Sequence, residues 1–222
     1  MARFSGKVAL VTGSSNGIGR ATAILFAKEG AQVTITGRNT QRLEETRQEI
    51  LKAGVPEDHV LTVAADLASE DGQSELINST IQKFGRLDIL VNNAGTGFMD
   101  SQGRVGIDQD ILDFDKTMQI NMRSVIILIQ KAKEHLIKTK GEIVNVSSIA
   151  AGPQAMLSFW ESHKECLPCG KIAQPVDIAN IIAFLADRNL SSYIVGQSIV
   201  ADGGSTLIMG TQAHDLMAIL TS

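Results

Sequence analysis

Three times in its first 85 residues this chain runs from a short aliphatic or β-branched segment into a charged, helix-forming one and stops at a glycine. Residues 8–11 lead to 18–29 and Gly30. Residues 32–36 lead to 40–53 and Gly54, with Pro56 just beyond. Residues 60–64 lead to 69–84 and Gly85. Short apolar runs suit strands buried on both faces. Glycine is a common helix stop, because it enters the left-handed region without a Cβ penalty. A fourth strand over 87–91, a glycine-rich loop over 95–106, a long helix from about Asp110 to Lys138 and a fifth strand over 142–146 continue the rhythm. Such alternation predicts an α/β fold of the doubly wound, Rossmann type: an open parallel sheet with helices on both faces.

After Val146 the rhythm breaks. Residues 176–186 read as a helix, with Pro175 near its start and Asp177 and Asp187 at its ends, and 197–200 as a last short strand. Only 19 residues, 149–167, separate Ser148 from Pro168. A further strand–helix–strand unit takes roughly 30 residues and does not fit there. At 222 residues the chain suits one well-buried domain.

Composition excludes several classes. A net charge of −4 leaves no basic stripe for a nucleic acid. No run approaches the roughly 18 apolar residues of a membrane span, and the longest aliphatic stretch, 125–129, reads as a buried helix segment. Two cysteines favour a reducing, cytoplasmic setting. The acids Asp108, Asp110, Asp113 and Asp115 gather at a helix start, where the dipole favours them; they read as helix stabilisers. His163, Cys166 and Cys169 have metal-like spacing but lack a fourth ligand nearby, so no metal site is expected.

The chemistry begins at the loop 12–19, Thr-Gly-Ser-Ser-Asn-Gly-Ile-Gly, between the first strand and the first helix. Glycine there permits a sharp turn and a close backbone approach to a pyrophosphate. The first N–H groups and the dipole of the following helix hold the phosphate charge. The spacing, Gly13-x-x-x-Gly17-x-Gly19, points to a dinucleotide, with Ser15, Asn16 and Ile18 completing the turn. The second strand leads into Gly37-Arg38. An acid at this place would favour NAD, whereas an arginine accommodates the 2′-phosphate of NADP. Arg38 therefore predicts NADP(H).

Taken together, these residues resemble the short-chain dehydrogenases/reductases. Thr12-Gly13-x-x-x-Gly17-Ile18-Gly19 is similar to that family's glycine loop. Asp66, followed by Leu67, resembles its adenine-binding acid. Asn92-Asn93-Ala94-Gly95 is similar to its signature after the fourth strand. Asn121 resembles its active-site asparagine, and Ser148, closing Ile143-Val-Asn-Val-Ser-Ser148, its catalytic serine. Segments from Pro168 to Gly204 resemble its C-terminal part. The resemblance spans nearly the whole chain. It implies a small-molecule carbonyl or secondary-alcohol substrate and a cofactor-binding half over 1–150 followed by a C-terminal segment over 168–222.

One part of the family pattern is missing. The family carries Tyr-x-x-x-Lys on the helix after strand five, then a sixth strand. This chain has a single tyrosine, Tyr193, which the resemblance places remote from Ser148. Residues 151–167 read as the junction of a block deletion that removes the tyrosine–lysine helix and strand six, as in a splice variant, a truncated gene or a faulty gene model. In the family the tyrosine exchanges the substrate proton and the lysine lowers its pKa and grips the nicotinamide ribose. Ser148 and Asn121 can orient and polarise but not donate that proton, so little or no turnover is expected. Trp160 and Lys164 keep the aromatic-x-x-x-lysine spacing, but an indole N–H does not ionise usefully. His163 reads as a solvated side chain.

The deletion also has consequences for packing. Strand five either pairs directly with the last strand or becomes an exposed edge. The long helix loses its neighbour, uncovering apolar residues among Met118, Met122, Val125, Ile126 and Leu128. An exposed face of that kind predicts an oligomer, with a second copy or with a full-length relative.

Overall fold

The structure, a computed structural model, describes residues 2–97, 104, 108, 110–148 and 167–207. Its strands are β1 (Val8–Val11), β2 (Gln32–Gly37), β3 (Val60–Ala64), β4 (Ile89–Asn92) and β5 (Glu142–Asn145). They form one parallel sheet in the order β3-β2-β1-β4-β5. Its main helices are α1 (Gly17–Lys28), α2 (Thr40–Lys52), α3 (Glu70–Phe84), α4 (Ile111–Met118), α5 (Ser124–Thr139) and α6 (Pro175–Ala186), with a short α7 (Arg188–Ser191). This is the doubly wound α/β architecture, and the predicted elements up to β5 fall within a few residues of their expected limits.

Successive side chains of a strand point to opposite faces, and β1 shows what that does at the centre of a sheet. Ala9 and Val11 pack with Phe26, Val33, Ile35, Ile89, Val91 and Ile182, under α1, α2 and α6. Val8 and Leu10 pack on the other face with Leu76, Leu90, Leu128 and Leu136, under α3 and α5. All four β1 residues are fully buried, which explains the unbroken apolar run. Gly30, Gly54 and Gly85 each take positive φ after a helix, as the sequence requires of helix stops.

The base of the sheet is pinned by Asp88. Its carboxylate accepts from the Val8 N–H at 3.0 Å, is gripped by both ends of the Arg86 guanidinium at 2.7 and 2.8 Å, and pairs with Lys7 at 3.3 Å. Its backbone carbonyl accepts from the Glu142 N–H. One residue thus joins the entries of β1, β4 and β5. Burial alone would raise its carboxyl pKa; the bonds from Arg86 and Val8 and the charge of Lys7 outweigh that and hold it below the ordinary value.

Four expectations need correction. Residues 197–200 do not form a strand. A four-residue strand needs a neighbour to take its backbone groups, and among the described residues β5 pairs with β4 alone. Ile199 and Val200 are exposed, and Tyr193 is fully so. Leu128 is buried beneath the sheet rather than uncovered, because it lies on the face of α5 turned toward Leu90. For the same reason 125–129 is not buried throughout: Ile126, half a turn away, is 48% exposed. Met118 and Met122 are uncovered as expected, and Val125 is half-buried. The long helix is also not uniform. A π turn, Gln119–Arg123, separates α4 from α5. The junction 151–167, with Trp160, His163, Lys164 and Cys166, lies outside the described residues except for Leu167.

Candidate cofactor-binding site

β1 is where the strand order reverses: the chain steps outward through β2 and β3, then returns to place β4 on the opposite side. A crevice forms beyond the carboxyl ends of strands at such a point, and ligands of this fold class bind there. The sequence-predicted residues gather along this rim. Gly13 to Gly19 follow β1, Arg38 follows β2, Asp66 and Leu67 follow β3, Asn93 to Gly95 follow β4, and Ser148 follows β5.

Thr12 holds two of these segments together. Its hydroxyl oxygen accepts from the N–H groups of Asn93 and Ala94, both at 2.9 Å, and lies 3.2 Å from the Val91 carbonyl. The Asn93 amide donates back to the Thr12 carbonyl at 2.9 Å. Ser14 does the same toward β2. Its hydroxyl donates to the Val11 carbonyl at 2.9 Å and accepts from the Thr36 N–H at 2.8 Å. The Thr46 hydroxyl of α2 donates to the Ser14 carbonyl at 2.9 Å. The loop is thus built rigid before any ligand arrives.

The glycines do what the pattern predicts, for three separate reasons. Gly13 has φ of +64°, and a Cβ there would stand 2.9 Å from the Ala94 Cα. A Cβ on Gly19 would strike the Gly13 carbonyl, so this glycine lets α1 pack against its own loop. Gly17 has φ of +53° and nothing within 4 Å of its would-be Cβ; it faces open space at the mouth of α1. The α1 N-terminus is also free of side-chain capping. Asn16 makes no capping bond there, whereas Asn39, Ser69 and Asp110 cap α2, α3 and α4 with their own oxygens. The first N–H groups of α1 therefore remain for an anion. A dinucleotide pyrophosphate fits this cradle, with Gly13 to Gly19 as its walls.

At the end of β2, Arg38 is exposed. Ser15 packs against the preceding Gly37, its hydroxyl 3.2 Å from the place a Gly37 Cβ would take. Asp66 turns back on its own chain and accepts from the Ala68 N–H at 3.0 Å. At the other end, Asn121 sits in the π turn. Its amide makes both bonds to the Thr96 backbone, accepting from the N–H at 2.9 Å and donating to the carbonyl at 2.7 Å. The asparagine thereby secures the start of the loop after β4. Ser148 is exposed at the end of β5. Tyr193 is not brought to this rim by any described contact. Among the described residues no group of His, Cys, Asp and Glu is placed to hold a metal ion, and no helix is long and apolar enough to cross a membrane.

Sequence reasoning gave Thr12 only as the first residue of the glycine motif, and missed the hubs Ser14 and Thr46, and also Arg20. Hydroxyls at strand ends carry no periodic signal. Arg20 had one: a cation in the first turn of α1, followed by the Glu45/Glu49 pair one turn apart on α2.

Comparison with known proteins agrees with this geometry. The family model described as short chain dehydrogenase matches residues 7–164. The chain is similar to (2S)-[(R)-hydroxy(phenyl)methyl]succinyl-CoA dehydrogenase subunit BbsD of Thauera aromatica, at 30% identity over 92% of this chain and 98% of that one. Among solved structures it is similar to a Caenorhabditis elegans short-chain dehydrogenase/reductase of unknown function with cofactor, at 49% identity and a TM-score of 0.91, covering 96% of this chain and all of that one. It is also similar to glucose dehydrogenase of the same organism in its apo form, at 47% identity and a TM-score of 0.82, covering 93% of this chain and all of that one.

Proposed function

The chain belongs to the short-chain dehydrogenase family, and from that premise we propose that it binds NADP(H) along the rim after β1 to β4 and has little or no turnover on a carbonyl or secondary alcohol. The observation that carries the binding half is the uncapped glycine cradle at α1, with Arg38 exposed at the end of β2 where the ribose lies. The cradle takes the pyrophosphate, Arg38 takes the 2′-phosphate, and Asp66 faces the adenine. Bound cofactor supplies or accepts hydride. Ser148 would hydrogen-bond the substrate oxygen, while Asn121 holds the loop that walls the substrate side.

Loss of turnover is supported by the proton inventory. Reduction of a carbonyl needs a proton on oxygen as hydride reaches carbon. The chain's one tyrosine is Tyr193, and it is fully solvent-exposed. Losing a general acid costs on the order of 10²–10⁴ in rate, and losing the lysine's hold on the ribose costs positioning as well. The reading of a missing block has its own support. The match to the Thauera protein runs over 251 aligned positions, although 92% of this 222-residue chain is about 204 residues; about 47 positions therefore have no counterpart here. The two cysteines, of which Cys169 is free, favour the cytoplasm.

A second reading is favoured by the apolar stripe Ile111, Met118, Met122 and Ile126, all exposed: a cofactor-binding pseudoenzyme that works through a second copy or a full-length relative. Two measurements test what both readings share. NADPH at 100 times its Kd should stabilise the native state by about 2.7 kcal/mol, seen as a raised Tm, and a panel of carbonyl compounds should give no NADPH oxidation. An unchanged Tm excludes the cofactor readings and leaves a nonfunctional fragment. Steady NADPH oxidation in the presence of any panel member restores an ordinary enzyme. A transcript or peptide spanning Gln154 to Phe159 establishes that the junction exists in the cell.

A further inference from the structure

We propose that Arg20 is a positioning residue that keeps the adenosine-ribose end of the site cationic, and so sets a preference for NADPH over NADH. The proposal rests on the NADP reading above. Arg20 stands in the first turn of α1, with its side chain 22% exposed. Its Nη2 donates to the Ser15 carbonyl at 2.7 Å and to the Arg42 carbonyl at 3.3 Å, and faces Glu45 Oε2 at 3.0 Å. Its Nη1 donates to Glu49 Oε1 at 3.1 Å. One planar fork therefore joins the phosphate loop, α1 and α2.

Two consequences follow for the ribose end. The first is geometric. Ser15 packs against Gly37, the residue before Arg38, so the bond to the Ser15 carbonyl fixes the surface beside Arg38. The second is electrostatic. Arg42, Glu45 and Glu49 are spaced three and then four residues apart, which puts them on one face of α2. That face is the one Arg20 meets. By the helical rise, Glu45 and Glu49 lie roughly 4.5 and 10 Å along the axis from Arg42, comparable to the Debye length of about 8 Å at physiological salt. Arg38, Arg42 and Arg20 against Glu45 and Glu49 leave one net positive charge. Without Arg20 the remaining four cancel, and Glu45 and Glu49 lose the cation they pair with near the place of the 2′-phosphate. NADH carries no such group, so its binding should hardly register the change.

The test is calorimetric titration of the full chain with NADPH and with NADH. In Arg20→Gln, Kd for NADPH should rise about three- to tenfold, the range for one charge at these separations in a dielectric between water and protein surface, while Kd for NADH stays within about twofold. Adding Glu45→Gln and Glu49→Gln to that variant should restore the NADPH preference. Arg20→Lys, which keeps the charge but not the fork, should keep most of it. If Arg20→Gln fails to fold, Glu45→Gln with Glu49→Gln in the parent chain should tighten NADPH alone. Equal weakening of both cofactors in Arg20→Gln, or no rescue by the glutamines, overturns the proposal and leaves Arg20 a loop brace. In the fallback pair, unchanged NADPH affinity overturns it. A parent chain that binds NADH as tightly as NADPH overturns the NADP reading and this inference together.

Discussion

β1 and residues 197–200 are equally short, and both carry aliphatic side chains. In β1 every residue is fully buried, while Ile199 and Val200 are 46% and 57% exposed. Half of 197–200 is polar, Gln197 and Ser198, but the aliphatic pairs differ chiefly in their neighbours. β1 has β2 on one side and β4 on the other, with helices over both faces. Among the described residues, no strand lies beside the later segment. Strand propensity is largely a measure of fit to a pleated, half-buried surface, and where that surface is not supplied, aliphatic residues do not make a strand.

The largest expected effect that tests this contrast is on core stability. Leu90 on β4 is fully buried, so Leu90→Ala should cost about 2–5 kcal/mol in a denaturant melt. Val200→Ala should stay within about 0.5 kcal/mol. A cost above about 1 kcal/mol at Val200 would show that this segment is packed in solution, and the comparison would fail. An intermediate effect concerns pH. Asp88 and Asp202 both have carboxyls held below the ordinary value. For Asp202 the cause is chiefly the Thr206 hydroxyl and the Thr206 and Gly204 N–H groups in a surface turn. A depressed carboxyl contributes stability that is fully present above its unfolded pKa of about 3.9 and is lost as pH falls through the lower folded value. Only the buried Asp88 should show this at measurable size. Between pH 7 and pH 3 the parent should lose more stability than Asp88→Asn, and Asp88→Asn itself should cost about 1.5–3 kcal/mol at pH 7. Asp202→Asn should leave the profile unchanged. The smallest effect on stability belongs to the exposed stripe. Met122→Gln with Ile126→Gln should shift stability by under about 0.5 kcal/mol yet reduce self-association in sizing experiments. Unaltered association would place the contact elsewhere, β5 being the first alternative.

The same contrast explains what the sequence could reveal. Val8 to Val11, Gly30 and Gly85 act locally, through periodicity and positive φ, and so were legible as strand and helix stops. Gly13, Gly17 and Gly19 were legible because a phosphate cradle demands them by spacing. The exposure of 197–200 was not, because it depends on a partner strand that no local pattern at 197–200 encodes. Leu128 was misjudged on helical phase: five consecutive aliphatics at 125–129 hide which one faces the sheet. The bracing roles of Thr12, Ser14 and Arg20 escaped notice because their work is done across loops, by hydroxyls and a guanidinium that reach residues up to 82 positions away.

The π turn at Gln119–Arg123 acts as a phase shifter. One residue more than an α turn needs is taken up there, and each residue of a helix turns the chain by about 100°. Everything downstream, from Ser124 to Thr139, is therefore rotated by that angle relative to α4. Leu128, Ala132 and Leu136 face the sheet because of it. Deleting a single residue from this turn would leave the composition of α5 nearly untouched and its pattern intact. It would nonetheless rotate the buried row out of the core and free Thr96 from Asn121. The segment tolerates substitution more readily than a change in count.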